Sequence, residues 1–155
     1  MSKKRRTKID KSQISQEEYK YRKSFDFQCF FDGSLSFNKM GFGGCVIDNE
    51  TKKEIYNFSE TVRMKDSSVN VAEYLAAIRV LEAVEAGCEG KEILIMGDSL
   101  LVVNQLKNVW KINGGAYAPF AKKAHQILKE SKNHITLMWI PREKNQRADE
   151  LSKCH

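Results

Sequence analysis

Four acidic residues stand where an acid is out of the ordinary. Asp32 closes the aromatic-rich run Phe25-Asp26-Phe27-Gln28-Cys29-Phe30-Phe31, directly before Gly33-Ser34. Glu73 lies in Asn70-Val71-Ala72-Glu73-Tyr74, at the start of a long apolar-faced segment, and Asp98 follows Ile93-Leu94-Ile95-Met96 in Gly97-Asp98-Ser99. Asp149 lies in Asn145-Gln146-Arg147-Ala148-Asp149. Taken singly, each has an ordinary explanation as a turn residue, a helix-start charge or a solvated helix residue. If they converge, their mutual repulsion raises and couples their pKa values unless a counter-charge is present. Two Mg²⁺ ions supply that counter-charge, with Mn²⁺ as a substitute. Such a pair, roughly 4 Å apart, suits phosphodiester hydrolysis: it activates a water and stabilises the leaving 3′-oxygen in an in-line displacement.

Convergence requires elements that bring distant residues together. The run at 25–31 reads as a strand, Cys45-Val46-Ile47 as the start of a second after Gly41, Gly43 and Gly44, and Glu54 to Val62 as a third. Val71, Ala72, Leu75, Ala76, Ile78, Leu81, Ala83 and Val84 give a long helix a broad apolar face, with Gly87 as its stop. Ile93–Met96 reads as a buried strand, Ser99 to Lys107 as a helix, and Pro119 suits the first turn of another. A fifth strand over Ile135–Ile140 ends at Pro141, and Lys144–Lys153 forms a further helix. The predicted order is β-β-β-α-β-α-α-β-α, an α/β fold. Neighbouring strand ends and the helices over them place acids from most of the chain at one spot.

The 155 residues fit one domain with a real core. Residues 1–23 carry nine Lys/Arg against three acids, a net +6 equal to that of the whole chain, so residues 24–155 sum to zero. This segment is polar and non-periodic, and it reads as a basic flexible extension before a domain at 24–155. It is either a solvated leader or a contact for nucleic acid. Cys29, Cys45, Cys88 and Cys154 are scattered without zinc-ligand spacing, and Met1-Ser2-Lys3-Lys4-Arg5-Arg6 has no apolar run behind it. These features point to a cytoplasmic, reducing setting and to no membrane span.

The sequence resembles the type 1 ribonuclease H family. The likeness runs from about Phe27 to Leu151 and rests on Phe31-Asp32-Gly33-Ser34, Gly43-Gly44, Asn70-x-x-Glu73, Asp98-Ser99, Trp139 and Asn145-x-x-Ala148-Asp149. It implies a five-stranded mixed sheet of order 3-2-1-4-5 flanked by helices, with Asp32, Glu73, Asp98 and Asp149 as the catalytic, two-metal site. The implied activity is hydrolysis of the RNA strand of RNA/DNA hybrids by a monomer, leaving 5′-phosphate and 3′-hydroxyl ends. Substrate contacts are implied for Gly33, Ser34, Asn38, Gly43, Gly44, Asn70 and Ser99. Asn145 is counted with them and also braces the metal site. For Asn70 a helix cap is the ordinary alternative, and for the glycines a hairpin needing positive φ.

Three departures qualify the likeness. Only residues 108–115 separate two helices, so the long basic protrusion of many members is missing, and the basic extension is a candidate substitute. Pro141-Arg142-Glu143-Lys144 has no histidine where many members carry one; Arg142 is the nearest replacement and can bind phosphate without donating a proton. His125 and His134 read as structural. This short form resembles the archaeal-like branch, some of whose members also cut double-stranded RNA. Val69 and Leu100 replace polar residues that touch nucleic acid in relatives, each forgoing on the order of 1 kcal/mol. Trp110 and Tyr117 are candidates for stacking, with a core place the equal alternative for Trp110, and Trp139 reads as core. A same-fold nuclease of broader specificity and a non-catalytic binding module are the alternatives.

Overall fold

Strand β1 (Phe27–Ser36) is the middle of a five-stranded sheet. It pairs antiparallel with β2 (Lys39–Asp48) on one side and parallel with β4 (Glu92–Gly97) on the other. The edges are β3 (Lys53–Arg63), antiparallel to β2, and β5 (His134–Trp139), parallel to β4. The order is β3-β2-β1-β4-β5, the mixed sheet that the family resemblance implies. The computed structural model describes residues 14–153, so the cluster at the start of the basic segment, Cys154 and His155 lie outside the described residues.

Alternation along the central strands builds a core on each face. Cys29, Phe31, Ile93 and Ile95 face helix α2 (Val69–Gly87), which packs against α4 (Ala118–Glu130); α3 (Leu100–Leu106) closes the same layer. Phe30, Leu94 and Met96 face the other way, onto Ile140 and onto Ala148 of α5 (Gln146–Leu151). Apolar residues on both faces explain the near-continuous burial of β1 and β4. Among the described residues no helix is long and apolar enough to cross a membrane.

Two features differ from expectation. Helix α1 (Gln16–Lys23) lies inside the segment read as a flexible extension. Its hydrophobic pattern is weak, and single polar residues hold it. Ser15 caps the Glu18 amide at 2.9 Å, and Arg22, 3% exposed, pairs with Glu18 at 2.6 Å. Asn49 then ties the helix end to the sheet, donating to Arg22 O at 3.0 Å and Phe25 O at 2.7 Å. The glycines of β2 also differ: Gly43 and Gly44 lie within the strand, and neither has positive φ. The hairpin turn is Phe37-Asn38, and there Phe37 adopts φ 58°, a conformation that costs a non-glycine residue about 1–2 kcal/mol.

Candidate active site

The parallel register of β1 and β4 sets Phe31 beside Gly97. The next residues, Asp32 and Asp98, therefore leave the same end of the sheet side by side. Glu73 reaches them because α2 lies unusually close to β1. A Cβ on Gly33 would stand 2.4 Å from Ala72 C and Glu73 N, so only glycine lets the first turn of α2 settle there. Gly43 does the same for α5: a Cβ there would stand 2.4 Å from Leu151 C. The glycines thus act as bearings on which the acid-carrying helices rest.

Oxygens of Asp32, Glu73 and Asp98 lie within 4.8 Å of one another. Asp32 and Glu73 are 5% exposed. Burial, then the Asp98 charge, pushes the Asp32 carboxyl up to about 7. Burial, then the charges of Asp32 and Asp98, pushes Glu73 up to about 10. Asp98 is also raised, chiefly by burial, against the lowering effects of Asn145 and Arg142. Glu73 Oε1 is buried with no hydrogen-bond partner. Three close carboxylates, one with an orphan acceptor, fit a hard divalent cation, which takes oxygen ligands.

Asp149 joins these acids around a cavity of about 540 Å³. It sits outside the tight triad, between Arg142 Nη2 at 3.8 Å and Lys153 Nζ at 3.5 Å. Asn145 Nδ2 donates to Phe31 O at 2.9 Å and to Asp98 Oδ2 at 3.2 Å, fastening the start of α5 to both central strands. Ser152 Oγ lies 3.3 Å from Asp32 Oδ2 and 2.8 Å from Asp149 O, and Ser34 Oγ donates to Ser152 O at 2.5 Å. Sequence reasoning missed Ser152 and Lys153. Their only signal was i+3 and i+4 spacing from Asp149 on one helix.

The other residues singled out by sequence separate into groups. Ser34 and Arg142 line the cavity, with Gly33 in its wall. Asn38 and Asn70 are exposed beside it: Asn38 O accepts from Ser67 Oγ at 3.3 Å, immediately before α2. Ser68 caps α2, so Asn70 is not the helix cap and its amide is free of that duty. Ser99 caps α3, accepting from Val102 N at 3.2 Å. Gly43 and Gly44 do not fit the implied contact role. Both are buried, one under Leu151 and the other against Phe30 O and the Phe58 ring, and they serve packing. Trp139 is not core. It is 41% exposed on an edge strand, and its indole donates to Asp98 O at 3.1 Å. Tyr117 is stacked on Tyr74, centroids 6.0 Å apart, whereas Trp110 is exposed. His134 is exposed beside Glu92, and His125 is half-buried on α4; neither lines the cavity.

Comparison with known proteins agrees with this geometry. Residues 30–155 match the family model described as reverse transcriptase-like. The Bacillus subtilis protein YpeP is 31% identical over 83% of this chain, which spans only 58% of that protein's length. The ribonuclease H of Hahella chejuensis is 28% identical over 81% of this chain and 89% of its own. LC11-RNase H1, isolated from compost and solved in complex with RNA/DNA hybrid, superposes with a TM-score of 0.72. It is 31% identical over 81% of this chain and 92% of that one. Sheet order, acid cluster and relatives concur: the chain belongs to the reverse transcriptase-like family, within its type 1 ribonuclease H group.

Proposed function

We propose that this chain is a metal-dependent endonuclease that hydrolyses the RNA strand of RNA/DNA hybrids, leaving 5′-phosphate and 3′-hydroxyl ends. The observation that carries the reading is the triad of buried Asp32 and Glu73 with half-buried Asp98, opening with Asp149 into one cleft. A binding module has no use for uncompensated negative charge beside a phosphate backbone. Asp32, Glu73, Asp98 and Asp149 would hold two Mg²⁺ ions, or Mn²⁺. Bound divalent cations supply Lewis acidity, lowering the pKa of a coordinated water and neutralising phosphate charge.

The chain's own groups do the rest. Burial and mutual repulsion raise Asp32 to about 7 and Glu73 to about 10, so both carboxyls favour a proton, and a bound cation would favour their ionised forms instead. Asn145 fixes the rotamer of Asp98. Trp139, bound to the Asp98 carbonyl, steadies the same loop. Arg142 and Lys153 bind the phosphates flanking the scissile bond from the rim. Asn38 and Asn70, with Gly33 and Ser34 behind them, face the minor groove, where an amide reads the 2′-hydroxyl that separates RNA from DNA. The basic residues before α1 add phosphate contacts that fade with salt. The free thiols of Cys29, Cys45 and Cys88 support a cytoplasmic setting.

The test is cleavage of end-labelled RNA/DNA, RNA/RNA and DNA/DNA duplexes in Mg²⁺ and in EDTA. Metal-dependent cutting of the RNA strand of the hybrid alone is expected. Cutting of RNA/RNA as well assigns the broader archaeal-like specificity. A folded chain that binds hybrid and cuts nothing in Mg²⁺ overturns the reading.

A further inference from the structure

Phe37 sits at the tip of the β1–β2 hairpin, 96% exposed and at φ 58°. Both facts count against it as a turn residue, since glycine takes that backbone freely and water is a poor solvent for a benzyl group. No aromatic partner for it occurs among the described residues. The tip is nevertheless held firmly. Asn38 Oδ1 accepts from Arg63 Nη1 at 3.0 Å, and Asn38 O accepts from Ser67 Oγ at 3.3 Å. The ring is thus presented outward on an anchored turn.

Its place relative to the acids suggests the occupant. Leu35 and Ser36 line the acidic cleft, so the surface runs unbroken from Asp32 toward the tip. Five residues of strand at about 3.3 Å each put Phe37 roughly 16 Å from Asp32. At about 3.4 Å per nucleotide, the B-form spacing, that is roughly five nucleotides along a duplex seated on the cleft, and slightly more with the shorter rise of an A-like duplex. We propose that Phe37 is a specificity-determining contact whose ring lies on sugars and base edges in the minor groove of the hybrid, about five nucleotides from the cut. The wide, shallow groove of an A-like duplex admits the ring, whereas the narrow groove of B-form DNA excludes it. The inference rests on the hybrid nuclease reading.

The test replaces Phe37 with Asn, which tolerates positive φ. Fluorescence anisotropy with Ca²⁺ in place of Mg²⁺ measures affinity for a hybrid, for the same hybrid truncated about three nucleotides from the site, and for duplex DNA. Phe37→Asn is expected to lower affinity for the full hybrid roughly ten-fold, the size of one aromatic–base contact. Affinity for the truncated hybrid and for DNA stays at the parent's value, and the melting temperature holds or rises. In kinetics the Michaelis constant rises far more than turnover falls. A parent that binds full hybrid with a variant that binds it equally well overturns the inference alone, as does an equal loss on DNA. A parent that binds no hybrid removes the nuclease reading and this inference with it.

Discussion

The two ends of the sheet bury polar groups in opposite ways. At the α1 end, Asn49 donates to two carbonyls and accepts from Gln28 Nε2 at 2.6 Å, while its own carbonyl accepts from Lys23 Nζ at 2.9 Å. The buried charge there, Arg22, is paired with Glu18. The two buried atoms left over, Arg22 Nε and Gln28 Oε1, are a donor and an acceptor. At the acidic end both leftover atoms, Glu73 Oε1 and Asn145 Oδ1, are acceptors, and they sit among carboxylates. Burial alone therefore does not mark function. A cluster whose charges and leftover atoms balance is scaffold, and one whose imbalance has a single sign awaits a ligand of the other sign.

Substitutions at each end sharpen this contrast. Asp98→Asn should abolish cleavage, by well over the roughly 100-fold that a supporting residue costs, with circular dichroism and melting unchanged or improved. Activity within ten-fold of the parent would break the contrast outright. At the other end, Asn49→Ala strands two carbonyls and an amide, a cost of about 2–4 kcal/mol. It should lower the melting temperature by roughly 5–10 °C, while turnover per folded molecule stays at the parent level. Asn145→Ala should cost roughly 10–100-fold in activity and weaken Mg²⁺ dependence measured by titration, because Asp98 loses the group that orients it.

The smallest effect is on stability. Asp32 titrates near 3.8 when unfolded and about 7 in the fold, so its contribution is fully present below pH 4 and is lost as pH rises through 7. Glu73 extends the loss toward pH 10. The chain in EDTA should therefore melt lower at pH 7.5 than at pH 5, and Mg²⁺ should restore more at the higher pH. Asp32→Asn, which mimics the protonated acid, should stabilise the EDTA form at pH 7.5 by about 1–2 kcal/mol in calorimetry. No gain would mean the acids already have their counter-charge in Arg142 and Lys153.

The gathering of Asp32, Glu73 and Asp98, with Asp149 on the same cleft, was legible because the ordinary local signals of a strand end, a helix start and an Asp-Ser pair occur together and in family-like order. What could not be read depends on packing partners far along the chain. Gly43 and Gly44 look like a turn until Leu151 and Phe58 are known to lie on them. Trp139 looks buried in mid-strand until β5 proves to be an edge. Helix α1 has too weak an apolar pattern to announce itself, and its anchor, Asn49, lies 27 residues from the Arg22 carbonyl it binds.

The bearing glycine at residue 43 supports α5, and Ser152, which caps that helix, reaches across 120 positions to Asp32. In chain order Asp32, Glu73 and Asp98 all precede α5, and the cleft lacks Asp149, Asn145 and Lys153 until that segment docks. Proteolytic nicking or premature termination before α5 would thus yield a chain with most of the sheet and an incomplete acidic cleft. On the proposed function, a chain ordered this way would be disarmed while nascent and would become competent only once its α5 segment is in place.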